Sequence, residues 1–202
     1  INGDFYNVNT GLPIGLVISE GVLRSSDGGY YAIGFRADGT AAIGKPGVKV
    51  TARLGYMDAE GYGEEVSRQL TAVNKARVSD GGTYLYTYDF NSKHTTGNTE
   101  AGVDVLCTIQ EGRLSIGETV TAVVERVEET TSATVMGPDQ IVLSANLKSD
   151  ASHVDALRNI PVGTVITLEA SAAGEEWNDV EYAVGALYSL VADGAVTAGL
   201  PT

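Results

Sequence analysis

Short apolar runs that end in an acidic residue and a glycine recur along this chain, at Glu20-Gly21, Asp27-Gly28, Asp38-Gly39, Glu111-Gly112 and Asp193-Gly194. Such pairs supply the positive φ of a tight reversal, so they predict hairpins. Leu16 to Ile18, Val22-Leu23, Tyr30 to Phe35 and Thr40 to Ile43 then read as an antiparallel meander over 14–44. Further strands are expected over Val48 to Leu54, Val103 to Ile109, Thr119 to Val127, Ile141 to Ala145 and Val162 to Leu168. A last apolar run, Ala183 to Val191, followed by Asp193-Gly194, repeats the pattern of the first hairpin.

Two helices are expected among these strands. Val66, Leu70 and Val73 fall at helical spacing behind Glu64 and Glu65, whose charge suits a helix N-terminus, and so predict a helix over 64–74. Ser152 with Asp155 three residues on approximates a capping box for a second helix over 153–159, which stops before Pro161. The Thr- and Val-rich stretch 102–147 alternates with period two. It reads as a small antiparallel barrel or sandwich, inserted as a subdomain into the first sheet. The fold class expected is α+β, a mainly antiparallel β-sheet with two short helices and that inserted β-subdomain.

With 202 residues and 43% hydrophobic composition the chain can bury a core. No apolar run approaches the ~18 residues of a membrane helix, so no membrane span is expected. A net charge of −13 without a basic stripe argues against nucleic acid. The same charge repels a phosphate-bearing ligand at long range, so a phosphate site would need local donors such as Arg77 or backbone N–H groups. The single cysteine, Cys107, alternates with Val103, Val105 and Ile109 and is expected as a buried hydrophobe. The acidic loop Asp58-Ala59-Glu60-Gly61-Tyr62-Gly63 misses the spacing of a calcium loop. His94 and His153 show no ligand spacing, and no metal or cofactor is expected. Nucleophile-elbow, phosphate-loop and zinc-protease motifs are absent.

The opening is Ile1-Asn2-Gly3-Asp4-Phe5-Tyr6, followed by Gly11-Leu12-Pro13-Ile14-Gly15-Leu16-Val17-Ile18 and the turn Glu20-Gly21. A core-type strand at the first residue reads as the start of an excised piece. Later come Asn74-Lys75-Ala76-Arg77, Tyr84-Leu85-Tyr86-Thr87 and His94-Thr95-Thr96-Gly97-Asn98-Thr99. Taken together, these segments resemble the phosphodiester glycosidase family, which includes the enzyme that removes N-acetylglucosamine to uncover mannose 6-phosphate. Asp4 and Tyr6 stand where the familiar motif has Gly and Phe, and Gly185-Ala186-Leu187 stands where the family has two or three glycines. The family's Arg-Thr-Ala, Asp-Gly-Arg and Asp-Gly-Gly-Gly-Ser elements do not occur before Thr202. The resemblance therefore implies one domain over 1–202 that is C-terminally incomplete.

The residues themselves leave several roles open. Asp4 suits either a turn residue or one of the two carboxyl groups that glycoside hydrolysis employs. Asn2 suits either sugar hydroxyls or a bridge between strands. Arg77 suits a bidentate phosphate grip or an ordinary surface position. His94 reads as a solvated loop residue. Trp177, Tyr84, Tyr86 and Tyr88 suit sugar stacking or half-buried packing.

The resemblance implies hydrolysis of a sugar-1-phosphodiester, with Asn2 and Asp4 as catalytic residues and Gly3, Arg77 and Thr96 in substrate binding. It implies a glycan or sugar-phosphate partner, an extracellular or cell-surface bacterial location, and self-association or a C-terminal segment that completes the sheet. The alternative from a different class is a non-catalytic carbohydrate-binding or cell-wall-associated module. Whether the chain is an enzyme stays open at this point.

Overall fold

The computed structural model describes residues 5–57, 63–192 and 194–197. Four strands come first: β1 (Val17–Ser19), β2 (Val22–Ser25), β3 (Tyr31–Arg36) and β4 (Ala41–Gly44). Next are β5 (Lys49–Met57), β6 (Gly63–Gln69), β7 (Ala72–Val73) and β8 (Thr83–Thr87), then β9 (Gly102–Glu111), β10 (Thr119–Thr130) and β11 (Gln140–Asn146). Helix α1 (Ala151–Arg158) precedes β12 (Val165–Ser171) and β13 (Val180–Ala186), and a small hairpin of β14 (Val191–Ala192) and β15 (Ala195–Val196) follows. The expected β-rich α+β class is observed, with one α-helix among the described residues.

The strands form a five-stranded sheet in the order β2-β1-β13-β3-β4 and an eight-stranded sheet in the order β6-β5-β12-β10-β9-β11-β8-β7. The acidic-Gly turns do join β1 to β2 and β3 to β4, but β2 and β3 are not neighbours. The 14–44 meander is therefore interrupted: β13 lies between β1 and β3, with Val184 opposite both Val17 and Ile33. The run that repeats the first hairpin's pattern in sequence has been built into the same sheet.

The 102–147 stretch supplies β9, β10 and β11. These strands lie side by side within the eight-stranded sheet, hydrogen-bonded to β12 on one flank and β8 on the other, so they are continuous with strands from outside the stretch.

The expected 64–74 helix is instead the edge strand β6, paired antiparallel with β5 so that Val66 faces Leu54. Residues four apart share a face in either a helix or a strand, so the Val66–Leu70 spacing fits both periods. The burial of 65–70 alternates along the chain, which is the strand period. Val73 reaches the core from a separate strand, β7, after a turn. Helix α1 is observed close to its expected place. Its cap is Asp150, whose side chain accepts from the Ser152 N–H, rather than Ser152 itself.

One apolar core fills the space between the two sheets. Leu16, Ile18, Leu23 and Ala183 from the small sheet meet Leu54, Val105, Cys107, Leu143 and Leu168 from the large one, together with Val154 and Leu157 of α1. Cys107 is buried as expected, and the low-dielectric surroundings push its thiol up to about 12. The sheets are stitched where β2 runs beside β7. There the Ser26 N–H donates to the Val73 carbonyl (3.2 Å) and the Val73 N–H to Ser26 Oγ (3.1 Å).

Trp177 is 1% exposed and packs over the small sheet, which settles its role as core and not as a sugar platform. A Cβ added at Gly34 would sit 2.9 Å from Val180 Cγ1 and 3.1 Å from Trp177 Cζ3, whereas one at Gly44 would be 3.9 Å from the indole. Gly34→Ala is expected to cost about 1–3 kcal/mol by overpacking, and Gly44→Ala to stay within about 0.5 kcal/mol. Urea midpoints of the two variants check this.

Candidate functional site

Strands β8, β9 and β11 are buried on both faces. On the face away from the shared core, two cross-strand rows lie side by side: Leu106–Val142–Tyr86, which is apolar, and Asp104–Ser144–Tyr84, which is not. The connection 88–101 and the turn 131–139 cover this face. They are joined to each other by the Thr95–Val135 bridge, by Thr96 N–H to the Thr134 carbonyl (2.9 Å) and by Met136 N–H to the His94 carbonyl (2.8 Å). Phe90 drops onto Tyr86 with ring centroids 4.9 Å apart. Tyr84 and Tyr86 are thus packing residues, while Tyr88 leaves the strand for a 3-10 turn and stacks on His94 at 3.6 Å.

Beneath this cover lies a buried polar network centred on Asp104, which is 1% exposed. Its two carboxylate oxygens accept from Ser144 Oγ (2.5 Å) and Thr134 Oγ1 (2.6 Å), and Arg77 Nη1 stands 3.7 Å away as counter-ion. The Arg77 side chain is only 2% exposed. It donates to Ser144 Oγ (2.9 Å), the Ala145 carbonyl (3.1 Å) and the Glu100 carbonyl (2.5 Å). Gly102 makes room for this guanidinium, since a Cβ there would collide with Arg77 and approach the Ala145 carbonyl to 2.6 Å.

The network reaches outward through Asn98, which donates to Ser144 Oγ (3.1 Å) and accepts from the Tyr86 hydroxyl (3.3 Å). Glu100 accepts from Asn146 Nδ2 at 2.7 Å. Burial pushes the Asp104 carboxyl above its ordinary value, against the opposing pull of Ser144, Thr134 and Arg77.

The outer side of the network is the floor of a cleft of about 310 Å3. Thr10 and Leu12, Ala76 and Arg77, Phe90, and the segment Thr96 to Glu100 line it. Two side chains beside the cleft tie its surroundings together. Lys75 Nζ donates to the carbonyls of Pro13 (2.6 Å), Ile14 (2.8 Å) and Gly15 (3.1 Å), which pins the N-terminal loop against the 74–77 segment. Asn74, buried and at φ +51°, donates to the Arg24 carbonyl (2.8 Å) and accepts from the Thr87 N–H (2.9 Å), which ties β2 to β8. Asn tolerates this left-handed conformation better than most residues.

Of the site residues expected from sequence, Asn2, Gly3 and Asp4 lie outside the described residues, as does most of the 58–63 acidic loop. Arg77 and Thr96 are brought to the same cleft, but neither reaches out freely. Thr96 is 2% exposed and its Oγ1 accepts from the Thr134 N–H. His94, expected as solvated, is partly buried, with Nδ1 at 2.9 Å from the Tyr88 carbonyl. That carbonyl can only accept, so Nδ1 carries the proton. Among the described residues no group of three or more His, Cys, Asp or Glu side chains could hold a metal ion.

Asp104, Ser144 and Thr134 escaped the sequence reading. The available signal was a carboxylate inside the apolar run Val103 to Cys107, a position that requires a buried partner.

No family model and no curated protein matches this chain. Solved structures do match. A hypothetical protein from Synechocystis superposes with a TM-score of 0.69 at 17% identity, over 98% of this chain and 33% of that one. A chain described as a "putative exported protein" from Burkholderia pseudomallei K96243 gives a TM-score of 0.57 at 14% identity, over 95% of this chain and 41% of that one. At such identities the likeness is one of fold. The chain spans about a third of the first and two fifths of the second.

Removing Asp104 leaves the Arg77 charge buried without its counter-ion. Asp104→Ala is therefore expected to cost about 3–5 kcal/mol in urea unfolding. The raised folded-state carboxyl also has a pH signature. Its contribution to stability is fully present below the unfolded value near 3.8 and is lost as pH rises through the higher folded value. Stability–pH curves of Asp104→Asn should lack that component.

Proposed function

We propose that this chain is the sugar-recognising portion of a phosphodiester glycosidase-like protein acting on a sugar-1-phosphodiester. The observation that supports this reading is convergence. Leu12 belongs to the Gly11–Ile18 segment, with Thr10 just before it, Ala76 and Arg77 belong to the Asn-x-x-Arg segment, and Thr96 to Thr99 belong to the Thr-rich loop. These three stretches, far apart in sequence, carry the resemblance, and all of them line one cleft. Lys75, inside the second stretch, holds the first in place through three carbonyls.

In this reading Asn2 and Asp4, which precede the pinned loop in the sequence, act at the bond that breaks. Arg77 and Thr96 shape the cleft from within. Glycoside hydrolysis normally employs two carboxyl groups. Glu100 is the one carboxylate among the described lining residues, because Asp104 is sealed behind the floor. Asp4 would be the second, or a residue in further polypeptide would supply it.

That same shortage favours the second reading, a carbohydrate-binding or cell-wall-associated module that keeps the fold without the chemistry. Either reading places the protein outside the bacterial cytoplasm, and the Burkholderia chain's description as exported is compatible with that. No helix among the described residues is long and apolar enough to cross a membrane.

The test is release of free sugar from an α-N-acetylglucosamine-1-phosphodiester, by the 202-residue chain and in parallel by the polypeptide extended past Thr202. The hydrolase reading expects turnover in the extended form, reduced by about 100-fold or more in Asn2→Ala. Absence of turnover in both forms, while a glycan still binds, replaces it with the binding-module reading.

A further inference from the structure

If the cleft belongs to a sugar-1-phosphodiester site, as proposed above, the next question is which half of that ligand it holds. The one guanidinium among the described lining residues faces inward. Arg77 is 2% exposed, faces Asp104 at 3.7 Å, and directs three N–H bonds to Ser144 and two backbone carbonyls. Turning it toward a phosphate would strip the buried Asp104 of its counter-ion. Lys75, the nearest other cation in sequence, is engaged by three carbonyls. The lining adds a carboxylate, Glu100, and the whole chain carries −13, both unfavourable to a phosphate.

What the cleft does present is suited to hydroxyl groups. Thr99 is exposed. Asn98 has spent one of its two amide hydrogens on Ser144 and one acceptor position on Tyr86, which leaves a donor and an acceptor. Glu100 has one carboxylate oxygen engaged by Asn146. Neighbouring donors and acceptors of this kind match vicinal hydroxyls, which both donate and accept. Phe90 supplies an apolar wall, and Gly97, at φ +65°, lies beside it. The volume of about 310 Å3 is at the small end for ligand sites, room for one ring and not for an extended glycan.

We infer that this cleft binds a neutral monosaccharide ring through Asn98, Thr99, Glu100 and Phe90, and that Arg77 positions the 98–100 segment through Ser144 and the Glu100 carbonyl without touching phosphate. The phosphoryl group of a diester would then lie outside the Arg77 floor.

Calorimetric titration of the 202-residue chain tests this with N-acetylglucosamine and a panel of neutral hexoses, their 1-phosphates, and inorganic phosphate, at low and high salt. The expected result is binding of at least one neutral sugar, with its 1-phosphate within about threefold and little salt dependence, and no competition by inorganic phosphate. Thr99→Val should weaken that sugar about tenfold with an unchanged Tm, because Thr99 is exposed and its hydroxyl bonds no described residue.

A 1-phosphate that binds more than about tenfold tighter than its sugar and loses that advantage in salt would overturn the inference, as would sugar affinity indifferent to Thr99→Val or no sugar binding at all. The two readings fail separately. Diester turnover with Thr99-insensitive sugar binding would sink this inference and leave the hydrolase standing. Thr99-sensitive binding of a neutral sugar without turnover would do the reverse.

Discussion

A carboxylate in the middle of a sheet face that is closed off from water must be answered on that face, and most of the architecture on this side of the molecule is the answer to Asp104. Desolvating the group is expensive unless it is hydrogen-bonded and paired. The partners come from four places: Ser144 on the neighbouring strand, Thr134 from the 131–139 turn, Arg77 from the segment after β7, and Asn98 through Ser144. Each partner fixes the backbone it belongs to. The carboxylate therefore organises two long connections that would otherwise have only a few backbone bonds to hold them.

The opposite face of the same strands is held by a different force. Val105, Cys107 and Leu143 pack against the small sheet and α1 with no charge to pair, so ordering there comes from apolar burial and close fit. Gly34 under Trp177 and Gly102 under Arg77 mark one requirement in both settings, a large side chain lying against backbone where a Cβ would intrude. The cleft stands where the polar face meets solvent, next to a loop held by Lys75. For the sugar site proposed above, support of this kind beneath the lining would lower the cost of ordering it at the moment of binding.

Much of the fold was legible beforehand because its signals are local. The hairpin turns at Glu20-Gly21 and Asp38-Gly39 and the buried alternation of Val103, Val105 and Cys107 all follow from two- or three-residue chemistry. The 64–74 stretch reads as a helix because a spacing of four belongs to a helix face and a strand face alike, and hydrogen bonds from β5 decide for a strand over 63–69. The resemblance implies a substrate-binding role for Arg77 and Thr96. Their inward orientation was not readable, since it depends on Asp104, which is 27 positions from one and 8 from the other in the chain.

The sequence by itself determined most of the strands, where most of them reverse, and that Cys107 is buried, and it carries in Asp104 a charge inside an apolar run that requires partners. Those outcomes rest on side-chain period, turn chemistry and desolvation, all of which act over a few residues. Only the tertiary structure decided that β13 enters between β1 and β3, that strands of the 102–147 stretch sit within the larger sheet, and that Thr10, Arg77 and Thr96 share one cleft. Those outcomes depend on which distant strand edges pair and on which loop a buried charge captures. No short window of sequence contains both partners of such a choice.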